Sequence, residues 1–119
     1  MSHSVVLPLK RQLTGTIASN VAVVDFVGAL LKVPGYSIGL FNIVCSGLGT
    51  AGTFDIALLC ADGTWRTVST GTTEAQIATI SDQYIHDGIR VTMNTGTGAT
   101  APVAYLSALG HNQKHTIYQ

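Results

Sequence analysis

The sequence predicts an all-β domain, an antiparallel β-sandwich, and three features carry that expectation. Only 10% of its 119 residues are charged against 46% hydrophobic, and Gly, Ser and Thr take the place of the missing charge. Thr, Val and Ile suit a pleated surface, while Gly supplies the positive-φ positions of tight turns. From Tyr36 onward, short apolar runs are separated by Gly-rich or Asp-Gly segments, the spacing of strands joined by turns. Within those runs apolar and polar residues alternate, which gives each strand one face for a core and one for solvent.

The length suits one domain with one core. Strands are expected at residues 13–18, 21–27, 36–46, 53–60, 64–69, 75–80, 88–94 and 103–109. Residues 24–33 contain Ala29-Leu30-Leu31 but are rich in β-branched residues and lie between Asn20 and Pro34, so they read as strand plus connection. Residues 1–12 and 111–119 lack turn chemistry and fall outside this set. The first is expected to be an arm whose Val5-Val6-Leu7-Pro8-Leu9 adds to a neighbour's sheet, with Pro8 limiting it to edge pairing. A disordered terminus is the alternative.

Two hairpins are expected from register. Pairing Cys45 with Phe54 sets Ile43 opposite Ile56 and Phe41 opposite Leu58, all on one face. Pairing Met93 with Ala104 sets Val91 opposite Leu106 and Ile89 opposite Ala108, with Arg90, Thr92, Asn94, Tyr105 and Ser107 outward. A third hairpin turns at Asp62-Gly63, residues that tolerate left-handed dihedrals. There Trp65 and Val68 fall on opposite sides, which calls for a bulge or a strand covered on both faces. Trp65, the only Trp, is expected to plug the core.

Six basic residues balance six acidic ones, so no long-range field attracts nucleic acid or an anionic membrane, and neither is expected as a partner. Zero net charge on a Thr-rich surface suits a protein that works assembled. Residues 5–9 are too short for a signal peptide's apolar region. The apolar stretch 21–44 is broken by Asp25, Lys32 and Pro34, so no membrane span is expected, and the chain is expected in a cytosol-like compartment or packaged from one.

The chemistry-bearing motifs fail one by one. Gly96, Gly98 and Ala101 match a dinucleotide-binding string, but Pro102 and a strand follow where a helix should receive the pyrophosphate. The string reads as a flexible loop able to touch a partner through Thr97. Cys45 and Cys60 are placed too far apart for a disulfide and read as buried free thiols. His111 and His115 have helical metal-ligand spacing but no third ligand, and His3 and His86 stand alone. Neither a triad around His86 and Ser81 nor an acid–base couple among Asp25, Asp55, Asp62, Glu74, Asp82 and Asp87 has support. No enzyme activity, cofactor or metal is expected.

Gly52-Thr53-Phe54-Asp55-Ile56, Asp62-Gly63-Thr64-Trp65, Gly88-Ile89-Arg90-Val91-Thr92 and Thr97-Gly98 ahead of residues 103–109 carry a family likeness. Over residues 52–110 the chain resembles small virion proteins of tailed bacteriophages, chiefly capsid decoration or cement proteins. The resemblance implies a jelly-roll-like sandwich, with an immunoglobulin-like sandwich as the alternative. It also implies a structural role in the virion after synthesis in the host cytoplasm, and partners that are the major capsid protein or another virion protein. Self-association as a dimer or trimer is expected with it. The expected contact residues are Val5, Val6, Leu7 and Leu9 of the arm, Thr97 of the loop and Tyr105. A tail or fibre role is one alternative. A carbohydrate-binding module using Tyr36, Trp65 or Tyr105 as a stacking platform is another.

Overall fold

In the computed structural model, which describes residues 5–81 and 87–112, eight strands form two antiparallel four-stranded sheets. The strands are β1 (Val5–Thr14), β2 (Val21–Val27), β3 (Tyr36–Ser46), β4 (Thr53–Leu59), β5 (Trp65–Thr73), β6 (Ala78–Ser81), β7 (Gly88–Asn94) and β8 (Val103–Asn112), with one 3-10 turn at Gly28–Leu31. The sheet orders are β1-β8-β3-β6 and β2-β7-β4-β5.

Four of the pairings, β1 with β8, β2 with β7, β3 with β6 and β4 with β5, are nested like those of one long hairpin turning between β4 and β5. Rolling that hairpin over a core adds β3 to β8 and β4 to β7. The result is a jelly roll, and the immunoglobulin-like alternative, with its different strand order, is set aside.

The inward faces are those the alternation predicts. Phe41, Ile43 and Cys45 of β3 and Phe54, Ile56 and Leu58 of β4 are buried, as are Ile89, Val91, Met93, Ala104, Leu106 and Ala108. Two of the three predicted hairpins nevertheless do not form. Phe41, Ile43 and Cys45 lie beside Ala108, Leu106 and Ala104 of β8, while Phe54, Ile56 and Leu58 lie beside Met93, Val91 and Ile89 of β7. Residues 47–52 and 95–102 are therefore crossings between sheets. Alternation cannot tell a turn within a sheet from a crossing, because both leave the same residues facing the core.

The two crossings pack on one another. Thr50 N–H donates to the Thr97 carbonyl at 2.9 Å, and Gly96 N–H donates to the Leu48 carbonyl at 2.8 Å. Leu48 is fully buried beneath them. A Cβ on Gly49, whose φ is +81°, would sit 2.7 Å from the Thr97 carbonyl oxygen, so close approach and left-handed backbone both demand glycine.

The Asp62-Gly63 hairpin does form, with Leu59 facing Trp65; a strict two-residue loop would have set Cys60 there. Asp62 accepts from the backbone N–H and the hydroxyl of Thr64 and from the Arg66 guanidinium. The expected bulge is present too, as two register shifts between β4 and β5. Gly71 N–H at the bulged stretch donates to Asp55 Oδ1 at 2.9 Å, and Asn94 Nδ2 donates to Asp55 Oδ2 at 3.2 Å.

The N-terminal arm is corrected. From Val5 onward it is β1, an integral edge strand whose Leu7 and Leu9 are 1% and 0% exposed in this chain's own core. Pro8 sits where the β1–β8 register shifts, as an edge position allows. The strand expected at residues 13–18 thus lies earlier, because residues 15–18 carry the chain across to β2. The C-terminal tail is corrected in part, since His111 and Asn112 complete β8; residues 113–119 lie outside the described residues, as do His3, Asp82 and His86.

Two substitutions separate packing from backbone strain in the crossings. Gly49→Ala and Gly98→Ala both place Ala at φ +81°, but only Gly98 faces open space. Gly98→Ala should cost about 1 kcal/mol of unfolding free energy, and Gly49→Ala distinctly more, measured by urea denaturation. Phe54→Ala, at a fully buried ring, should cost about 3–5 kcal/mol in the same assay.

Candidate functional site

The outer face of the β1-β8-β3-β6 sheet is built by rows of outward residues running across the strands. One row carries Lys10, Ser107, Asn42 and Thr79; the next carries Gln12, Tyr105 and Val44. With Ile77, just before β6, and Arg11 they line an open groove of about 660 Å³. Ile77 is 65% exposed and Tyr105 38%, an unusual pairing of large apolar groups on a solvent face. Lys10 and Arg11 are the charged residues of the lining, which contains no carboxylate.

Only Tyr105 of the six expected contact residues belongs to this groove. Val5 and Val6 are exposed but lie far along β1, opposite Gly110 and Leu109. Thr97 is exposed on the crossing loop, its carbonyl committed to Thr50. Leu7 and Leu9 are withdrawn from the contact set, because burial in the core leaves nothing of them to touch. Lys10, Arg11, Val44 and Ile77 were missed. Their signal is an apolar outward position on β3 beside Tyr105, which becomes visible only once β3 is known to pair with β8.

The opposite outer face, on the β2-β7-β4-β5 sheet, is tied up internally. Arg90 grips Asp25 with two hydrogen bonds, Nε to Oδ1 at 2.8 Å and Nη2 to Oδ2 at 3.1 Å. This carboxylate raises the Arg90 pKa further above its ordinary value. The same guanidinium lies 4.2 Å from the centroid of the Trp65 ring, and the indole packs over Gly88. Trp65 is therefore no core plug; it is half-buried on this outer face.

A second groove, of about 440 Å³, opens at the end of the sandwich where β2 passes to β3, lined by Leu31, Val33, Tyr36, Ile38 and Phe41 among others. Tyr36, Trp65 and Tyr105 thus occupy three separate surfaces and form no shared stacking platform.

Both cysteines are free, Cys45 buried and Cys60 half-buried. Burial, reinforced by the Glu74 carboxylate, pushes the Cys45 thiol up to about 12. Glu74 itself accepts from the Gly47 N–H at 2.9 Å. The Gly96, Gly98 and Ala101 string lies in the crossing and is followed by β8. Among the described residues, no three His, Cys, Asp or Glu side chains gather into a metal-binding group. His111 is in β8 opposite Ser37. No helix among the described residues is long and apolar enough to cross a membrane. Comparison with known protein families, with curated proteins and with solved structures finds no match.

Two measurements check this electrostatic picture. The Cys45 thiol is raised on folding, so its contribution is fully present below the unfolded value near 9 and is lost as pH rises toward about 12. Stability should therefore fall more steeply above pH 9 in the native chain than in Cys45→Ala, as followed by thermal denaturation. A double-mutant cycle between Asp25→Ala and Arg90→Ala should give a coupling of about 1 kcal/mol that shrinks with added salt, because both side chains are about a third exposed.

Proposed function

We propose that this chain is a structural, non-catalytic virion protein that decorates and stabilises a bacteriophage capsid. The observation that carries the proposal is the outer face of the β1-β8-β3-β6 sheet, where Ile77 and Tyr105 lie open to solvent around a half-buried Val44, beside Lys10 and Arg11 and without an acidic neighbour in the groove. A rigid four-stranded face with an aromatic at its centre and a cationic rim suits docking on another protein's surface. The occupant is the major capsid protein, through an apolar patch rimmed by carboxylates.

Jelly rolls serve viral shells, lectins and other binding proteins, so the fold permits this role without choosing it. The resemblance of residues 52–110 to phage decoration proteins favours the shell among them. A shell also offers many identical sites, so a modest contact repeated over it holds firmly when the docking protein is itself multivalent.

Co-sedimentation with shells of the phage that encodes the chain tests the proposal. Wild-type protein should pellet with the shells, whereas Ile77→Asp and Tyr105→Asp, both on the solvent face, should stay in the supernatant while keeping the wild-type melting temperature. Wild-type protein left in the supernatant, or binding to a glycan array that Tyr105→Ala abolishes, would overturn it.

A further inference from the structure

The four sheet edges are not treated alike. β1 carries Pro8 and a register shift, β5 carries two register shifts, and β6 is four residues long. Proline, bulges and shortness are among the devices that stop a sheet edge from recruiting another strand, as are charges, of which β2 carries Asp25 alone, held by Arg90. β2, the edge of the other sheet beside β7, has none of the first three. Its Val21-Ala22-Val23-Val24-Asp25-Phe26-Val27 is seven residues in unbroken register, with neither Pro nor Gly. Val23 and Val27 are 48% and 44% exposed.

The hydrogen-bond phase of β2 is fixed at both ends. Thr95 N–H donates to the Asn20 carbonyl, and Gly28 N–H donates to the Asp87 carbonyl. The even-numbered residues of β2 therefore bond to β7, and the odd-numbered ones turn their backbone groups outward. Val21 is satisfied by Ala18 through two bonds of 2.8 and 3.1 Å. Val23 and Asp25 are left presenting N–H and C=O to the edge, and Val27 its N–H. Beyond Val27 the chain leaves the strand for the 3-10 turn, whose Leu31 is buried.

We infer that β2 pairs antiparallel with β2 of a second copy about a two-fold axis at Asp25, joining two four-stranded sheets into one of eight. In this register the two Asp25 residues exchange their backbone bonds, and each Val27 N–H donates to the other copy's Val23 carbonyl. Val23 of one copy then lies beside Val27 of the other on the outer face, so the exposed apolar pair covers itself. The two Asp25 carboxylates come together, but each is already gripped by its own Arg90, so the row across the axis is neutral overall. Moving the axis one residue toward Val24 would drive the second copy's Val27 into the place of Ala18, which selects the register centred on Asp25. A two-fold edge contact closes on two copies and excludes the trimer. The inference is independent of capsid binding.

Sedimentation equilibrium of the purified protein tests it. Wild type should show the mass of two chains, and Val23→Pro, which removes an N–H that β7 does not use, should weaken the dimer at least about tenfold, a change of about 1.4 kcal/mol. Should the proline variant fail to fold, Val23→Lys with Val27→Lys supplies the same block by charge. In a Cys60→Ser background, the double variant Val23→Cys, Val27→Cys should form an intermolecular disulfide under mild oxidation that Val23→Cys alone does not. A wild-type monomer or trimer, or a dimer indifferent to both edge blocks, would overturn the inference. Loss of dimer without loss of shell binding would leave the capsid proposal standing, and the reverse would leave this one.

Discussion

Everything in this molecule follows from the need of two sheets to bury one face each against the other. Sheets are apolar on one face only if their strands alternate strictly, and each strand's inward residues find their partners across a layer about 10 Å thick. Phe26, Phe54, Ile43, Ile56 and Leu106 meet in that layer with almost no exposure. A small residue sits beside a large one where Ala108 of β8 neighbours Phe41 of β3. Interlocking of this kind is how protein interiors reach close packing.

Closing the layer leaves the ends of the sandwich to the connections, and here backbone chemistry replaces side-chain packing. The crossings 47–52 and 95–102 satisfy their polar groups on one another, with Leu48 beneath them as an apolar stopper. The two outer faces then diverge. One is stitched internally by Asp25, Arg90, Trp65 and Asp55; the other leaves Tyr105 and Ile77 open. The stitched face keeps its exposed Val23 and Val27 on the β2 edge, where a second copy would pair, and the open face presents Tyr105 and Ile77, so edge pairing and face docking fall to different sheets.

Facing was legible in the sequence because it is a local property with a period of two. Phe41, Ile43, Phe54, Ile56, Leu58, Ile89, Val91 and Met93 could all be assigned inward from their own segments. Partnership was not, because the jelly roll pairs strands distant in sequence, and β4 with β5 is the one consecutive pair sharing a ladder among the described strands. That pair is marked by Asp62-Gly63, a dipeptide with the chemistry of a tight hairpin turn. Leu7 and Leu9 were misread for a related reason: β1 has no neighbour in sequence with which to form a recognisable hairpin, so a buried strand looked like a loose arm. The docking face suffered likewise, since Val44 and Tyr105 are adjacent only across the β3–β8 ladder.

The position of β8 has a consequence for how the chain comes to be whole. It lies between β1 and β3, forming ladders with both, and it follows the other seven described strands in sequence. The β2-β7-β4-β5 sheet has all its strands once residue 94 has emerged, but the other sheet is then two separated pieces awaiting the strand that joins them. Ribosomal synthesis thus delivers the keystone after both of the strands it joins. Until it arrives, the inward residues of β1 and β3 lack the strand between them and stay open to whatever else is folding nearby.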